Sequence, residues 1–272
     1  MGTIGKVSTL SMAGMLFSLI VSVAVPIVLC IFLRWKKRAS LSSFLTGCGV
    51  FVLFAMTLEQ VLHAIVFQVA GEALMNNNVL YALYGALAAA LFEETGRFLA
   101  MKHFMKNQLD RKNALMYGVG HGGAEAILLV GMSYINNLVT SSMINSGQIE
   151  AVISALPKEQ QEVNLQSISL LWTTPSYQFF ASGLERLIAL TLQIALSVFV
   201  YKAVKYGQNK FLLMAMGIHF FTDFVAVLAT KYVPIMAVEG ILLVMTVVVA
   251  YLAYRLYKED MQGEQTISKQ AE

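Results

Sequence analysis

Residues 10–38 read LSMAGMLFSLIVSVAVPIVLCIFLRWKKR. The first 24 of these positions carry no charge, and four of the last five are cations. As a helix rising 1.5 Å per residue, the uncharged run crosses the roughly 30 Å hydrocarbon core of a bilayer. It is too long for the apolar core of a secretory signal, so Arg34-Trp35-Lys36-Lys37-Arg38 reads as a stop-transfer flank rather than a cleavage site. Working outward, apolar runs recur at about 44–70, 79–101, 114–135, 178–201, 211–230 and 233–254, each about the length one crossing needs.

Composition agrees with this count. The 272 residues are 57% hydrophobic and only 13% charged, against roughly 25% charged in soluble domains. A cytosolic enzyme and a nucleic-acid binder are thereby excluded, and Cys30 and Cys48 offer no disulfide framework. The expected fold is all-α, a polytopic membrane protein with a bundle of about seven transmembrane helices. Residues 1–258 are expected to form one transmembrane domain and 259–272 a polar, disordered cytoplasmic tail. The lipid bilayer is its first partner.

Orientation follows from the cations. Fourteen of the 19 Lys and Arg residues fall in one set of connections (Arg34, Lys36, Lys37, Arg38, Lys102, Lys106, Arg111, Lys112, Lys202, Lys205, Lys210, Arg255, Lys258 and Lys269), and only Lys6, Lys158 and Lys231 fall in the other. By the positive-inside rule the N-terminus lies outside and the C-terminus in the cytoplasm of an integral protein of the cell membrane. The one long connection, 138–175, is then on the outer side. In it Ile149, Val152, Ile153 and Leu156 recur at helical spacing before Pro157, which predicts a short amphipathic helix in an otherwise inert interfacial loop.

Ionisable side chains stand inside these spans, where each costs roughly 2.5–3.5 kcal/mol on insertion scales. The third span holds Leu91-Phe92-Glu93-Glu94-Thr95-Gly96-Arg97-Phe98, the fourth Tyr117-Gly118-Val119-Gly120-His121-Gly122-Gly123-Ala124-Glu125, and the sixth His219-Phe220-Phe221-Thr222-Asp223. Glu93/Arg97, His121/Glu125 and His219/Asp223 are each four residues apart and share a helix face. Counted from the inner ends of their spans, Glu93, His121 and His219 all lie about 10–12 Å deep. A common depth predicts one polar chamber in the inner half of the membrane. The glycines around His121 leave room for a helix or a substrate backbone, which makes Tyr117, Gly122 and Gly123 candidate substrate-binding positions.

Two adjacent carboxylates beside an arginine have environments that pull their proton affinities apart, and two histidines at the same depth complete the parts of a water-activating site. Glu125 and Asp223 can orient the histidines four residues before them. A second set lies toward the outer side: Glu59 with His63, and Glu185 with Arg186. An arginine without a partner there is expensive, so a structural ion pair of Arg186 with Glu59 or Glu185 is the simplest account.

These motifs resemble those of the YhfC-type membrane peptidases and, more distantly, of the CAAX-protease and bacteriocin-processing superfamily of intramembrane endopeptidases. That pattern has a Glu-Glu pair followed by Arg, an aromatic four residues before a His, and a His four residues before Asn or Asp. Glu93-Glu94-Thr95-Gly96-Arg97, Tyr117 to His121, and His219 to Asp223 occupy its three places in order. The resemblance implies hydrolysis of a peptide bond in a membrane-embedded or membrane-associated substrate. In it Glu93 or Glu94 and His121 activate water, and His219 with Asp223 stabilise the oxyanion; Arg97 is the arginine of the first motif and a further catalytic candidate. The chain departs from the superfamily in its Arg spacing, in Tyr for Phe and in Asp for Asn, which leaves open which glutamate is the base.

No cofactor is required by that chemistry. The alternative is a zinc-dependent protease in which His121, His219 and Glu93 become ligands, since imidazole and carboxylate suit zinc. The sequence has no His-Glu-x-x-His, no Gly-x-Ser-Gly and no Gly-x-Gly-Asp, which disfavours zincin, rhomboid and aspartyl plans. A proton-coupled transporter and a non-catalytic membrane scaffold are the readings from other classes.

Overall fold

A computed structural model describes residues 4–270. Its helices are α1 (Thr9–Lys36), α2 (Leu41–Met75), α3 (Asn78–Leu99), α4 (Arg111–Asn145), α5 (Ile149–Ser154), α6 (Lys158–Thr173), α7 (Ser176–Tyr206), α8 (Asn209–Ala229) and α9 (Ile235–Gln270). No strand occurs among the described residues. Among the described residues six helices are long and apolar enough to cross a membrane: α1, α2, α4, α7, α8 and the stretch Ile235–Gln262 of α9. Large apolar side chains such as Val69, Leu213 and Val244 are exposed on them, a surface suited to lipid rather than water. The chain is an all-α polytopic membrane protein. The remaining long helix, α3, has 22 residues, about 33 Å at helical rise; Glu93, Glu94 and Arg97 lower its hydropathy, and all three are buried.

The chain divides into two compact units, one of Met1–Val25 with Ala126–Leu187 and one of Pro26–Glu125 with Ile188–Glu272. The divisions fall inside α1, α4 and α7 rather than in linkers. The first unit buries Val7, Met15, Tyr134, Ile144, Ile149, Ile153, Leu171 and Phe179 against one another. Ile149 and Ile153 thus form the inward stripe of the short helix expected before Pro157, while Val152 is exposed. Residues 158–173, part of the connection expected to be an inert interfacial loop, form α6. Pro157 precedes its first turn, and Lys158-Glu159-Gln160-Gln161-Glu162 are good helix formers despite their polarity.

The second unit is built around Tyr117, Leu196, Phe199, Tyr201, Met101 and Met105. Its α2 and α4 touch backbone to backbone: a Cβ on Gly120 would lie 2.0 Å from the Phe44 carbonyl oxygen, and one on Gly47 2.2 Å from that of Tyr117. Only glycine allows that approach. Both helices also contain π-helical turns, Phe51–Glu59 in α2 and Ala126–Gly131 in α4, a distortion that recurs beside functional sites. At its far end, α9 continues as helix to Gln270, where a disordered tail from residue 259 was expected. Asp260 is buried and accepts from Tyr201 at 2.7 Å and from Tyr206, with Lys205 3.5 Å away.

Candidate active site

Glu93, Glu94 and Arg97 on α3, His121 on α4 and His219 on α8 are all buried in the second unit. Their side chains meet. Oε2 of Glu93 lies 2.8 Å from Nε2 of His121 and 4.0 Å from Nε2 of His219. Oε1 of Glu94 lies 2.8 Å from Nδ1 of His219 and 3.5 Å from Nη2 of Arg97. Asp223 completes the set, with Oδ2 3.4 Å from His219 Nε2. Three helices that the sequence could only match by depth therefore converge at bonding distance.

The two glutamates are differently placed. Glu94 is fully buried and spends Oε1 on both Arg97 and His219. That one oxygen joins Arg97 on its own helix to His219 on α8. Glu93 keeps some exposure, and its Oε2 is the point on which both histidine Nε2 atoms converge. The edge-on ring of Phe51 and the stacked ring of Tyr117 hold the imidazole of His121, with centroids 5.4 and 6.0 Å away. His121 Nδ1 and Glu94 Oε2 are buried without a hydrogen-bond partner among the described residues, which suits a polar chamber that admits solvent or an ion.

Several expected pairings differ in detail. Arg97 pairs with Glu94, three residues away, and not with Glu93. Glu125, expected to orient His121, accepts from Gln193 Nε2 at 3.1 Å. Gly122 and Gly123 are buried with their space already filled: a Cβ on Gly122 would lie 3.0 Å from Gln193 Cβ, and one on Gly123 2.7 Å from Pro26 Cβ. Tyr117 is wholly buried beside them. Of the second set, Arg186 is held by Glu185, its neighbour on α7. Glu59 turns to His63 at 3.2 Å, whose Nδ1 reaches the Tyr84 hydroxyl at 2.7 Å.

Gln193 on α7 is the residue that sequence reasoning missed. Its carbonyl oxygen accepts from Arg97 Nη1 at 3.1 Å, its side-chain oxygen accepts from Arg97 Nη2, and its Nε2 donates to Glu93 Oε2 at 3.0 Å. The signal was present as a lone amide in the apolar run Leu187–Ala195. A Gln there has no reason to exist in lipid, and every reason to exist beside three charges.

Residues 21–248 match the family described as YhfC intramembrane metalloprotease. The chain belongs to the YhfC family. It is also 38% identical over 205 residues to the uncharacterized membrane protein YhfC of Bacillus subtilis (strain 168), covering 75% of this chain and 79% of that one. No solved structure matches. The YhfC match spans every residue of the cluster, from Glu93 to Asp223.

The family description raises a metal, and the donors of this YhfC chain fit zinc in kind: two imidazoles and a carboxylate. At a zinc to ligand distance of about 2.0–2.1 Å, neighbouring ligand atoms of a tetrahedron stand about 3.3 Å apart. The separations of 2.8 and 4.0 Å around Glu93 Oε2 bracket that value. Among the described residues no group of three is already drawn together to the spacing of a metal site. The Glu94 carboxylate bonded to His219 Nδ1 has the form of a carboxylate fixing the tautomer of a ligating histidine.

Proposed function

We propose that this chain is an intramembrane endopeptidase of the cell membrane in which Glu93 activates the water that attacks the peptide bond of a membrane-embedded or membrane-associated substrate. The observation that carries the reading is the division of labour between the glutamates. Glu94 is committed to Arg97 and His219, whereas Glu93 Oε2 faces both histidine Nε2 atoms. Glu93 takes a proton from water as the oxygen adds to the carbonyl carbon. His121 fixes the carboxylate that does so. His219, with one nitrogen on Glu94 and the other toward Asp223, holds an N–H for the oxyanion and then supplies a proton to the leaving amine. Gln193 keeps Glu93 and Arg97 in register.

A second reading is favoured by the family description and by the Glu94–His219 bond: His121, His219 and Glu93 hold zinc. The metal would then polarise the carbonyl and acidify water, and Glu94 and Gln193 would fix the orientation of the ligands. Under either reading seven helices cross the bilayer, α3 included, 1–258 is one membrane domain, and the N-terminus is outside.

The experiment uses purified protein in liposomes with a panel of single-span reporter peptides, followed by mass spectrometry of products. Cleavage by the parent, lost in Glu93→Gln and insensitive to a strong chelator, supports the glutamate reading. Loss on chelation with recovery on zinc, together with about one zinc per chain by elemental analysis, supports the metal reading. If Glu93→Gln and Glu94→Gln both cleave at the parental rate, both readings fail.

A further inference from the structure

The second unit contains a cavity outside the cluster, of about 480 Å³, lined by α1, α4, α7 and α9. We propose that it binds one anionic phospholipid, its acyl chain in the apolar part of the groove and its phosphate at Lys37. The lining is graded from end to end. Along α1 the groove is met by Leu29, Phe32 and Leu33 and, one residue past its end, by Lys37; along α9 by Ala250, Ala253, Tyr254 and Tyr257. Both helices thus run from aliphatic residues to polar ones in the same direction, over roughly 12 Å at helical rise. A ligand that fits such a gradient has an apolar tail and an anionic or hydrogen-bonding head.

The polar end stands at the level where headgroups lie. Lys37 is within Arg34-Trp35-Lys36-Lys37-Arg38, and Trp35 in that cluster is 80% exposed, as tryptophans at a bilayer interface are. Polybasic stretches directly beside a crossing attract anionic lipid. Arg111 lies over the ring of Tyr257, 5.6 Å from its centroid, which fixes one wall of the polar end.

Charge chooses between occupants. Lys37 is the one cation among these lining residues and stands at the polar end, where a phosphate makes a charge-assisted contact. An apolar substrate span brings no counter-charge to it. A cavity of 480 Å³ lies within the ordinary range for small-ligand sites, enough for part of one lipid. The occupant also lies against the catalytic machinery without entering it, because Ile194 lines the groove beside Gln193 on α7.

The test is native mass spectrometry of the full chain in neutral detergent, titrated with phosphatidylglycerol or with phosphatidylcholine of the same acyl chains. One phosphatidylglycerol should be retained at several-fold lower lipid concentration than phosphatidylcholine. Lys37→Glu should weaken that retention at least fivefold, whereas Lys36→Glu, the same charge change one residue away and outside the groove, should not. Ala250→Phe, which fills the apolar part, should abolish retention, with Ala250→Leu as a milder substitute if the larger ring impairs folding by size exclusion and thermal melting. Excess inorganic phosphate should leave the bound lipid in place. Equal retention of the two lipids, equal loss in Lys37→Glu and Lys36→Glu, or parental retention in folded Ala250→Phe would overturn the proposal, as would displacement of the lipid by an apolar single-span peptide. None of these outcomes depends on hydrolysis.

Discussion

Gln193 and Arg97 meet at two points, the Gln193 carbonyl accepting from Nη1 at 3.1 Å and its side-chain oxygen accepting from Nη2. Both residues are buried, Arg97 completely, so the guanidinium depends on this amide and on Glu94 for its hydrogen bonds. Ser197 donates to the same carbonyl at 2.8 Å. Replacing Gln193 with Leu keeps the carbonyl but removes the side-chain acceptor from Arg97 and the donor from Glu93 and Glu125. A charged group left short of a buried partner costs about 1–3 kcal/mol or more. Gln193→Leu should therefore melt earlier in detergent and lose activity together. A variant with parental melting and parental turnover would make Gln193 a bystander.

The two glutamates should separate when each is made neutral. Glu93→Gln keeps the size of the side chain and removes the base, so turnover should fall by roughly 10²–10⁴-fold with little change in thermal stability. Glu94→Gln removes the counter-charge of Arg97 and the anchor of His219, and should lower both stability and turnover. Combining Glu93→Gln with His121→Ala should be no worse than the more severe single change, as for residues acting as a unit. Melting curves and product yield measured on the same preparations check all three.

What the sequence made legible here was chemistry and depth. Glu93, His121 and His219 could be matched by counting from the ends of their spans, because an ionisable residue in lipid has to explain itself and helical rise is a fixed ruler. Partner choice was not legible. Glu93 and Glu94 are adjacent, so only the rotation of α3 against α4 and α8 decides that Glu94 takes Arg97 and Glu93 takes His121. Gln193 escaped because an amide carries no formal charge. At Gly122 and Gly123 a missing side chain tells only that something comes close, and the sequence could not say that Gln193 and Pro26 would be among the neighbours. Residues 158–173 fell within the long outer connection, although Lys158-Glu159-Gln160-Gln161-Glu162 are good helix formers.

Arg186 tests whether a charge inside a span is scaffold or chemistry. It is paired with Glu185, and the two side chains are 13% and 26% exposed, so the cost of breaking the pair should fall below that of a fully buried one, at about 1–3 kcal/mol. Arg186→Leu should lower yield and melting temperature while the folded fraction cleaves at the parental rate per molecule. Normal abundance with lost cleavage would move Arg186 into the reaction.

Topology is the most direct test of the charge argument. With α3 counted, seven crossings put the ends of the chain on opposite sides, and the concentration of Lys and Arg at 34–38, 102–112, 202–210 and 255–269 assigns those connections to the cytoplasm. Without α3 as a crossing, the cations at 34–38 and at 102–112 would face opposite sides and the bias would fall from 14 to 3 to 11 to 6. Single cysteines at positions 36, 158 and 269, introduced after Cys30 and Cys48 are replaced by serine, should be labelled by an impermeant maleimide in intact cells at 158 alone. All three should label once the membrane is opened. Reaction at only one of 36 and 269 in intact cells would remove α3 from the set of crossings, and reaction at both 36 and 269 but not at 158 would invert the protein. Either result would also move the polar cluster to a different depth, because the roughly 10–12 Å measured from the inner ends of α3, α4 and α8 rests on those ends facing the same side.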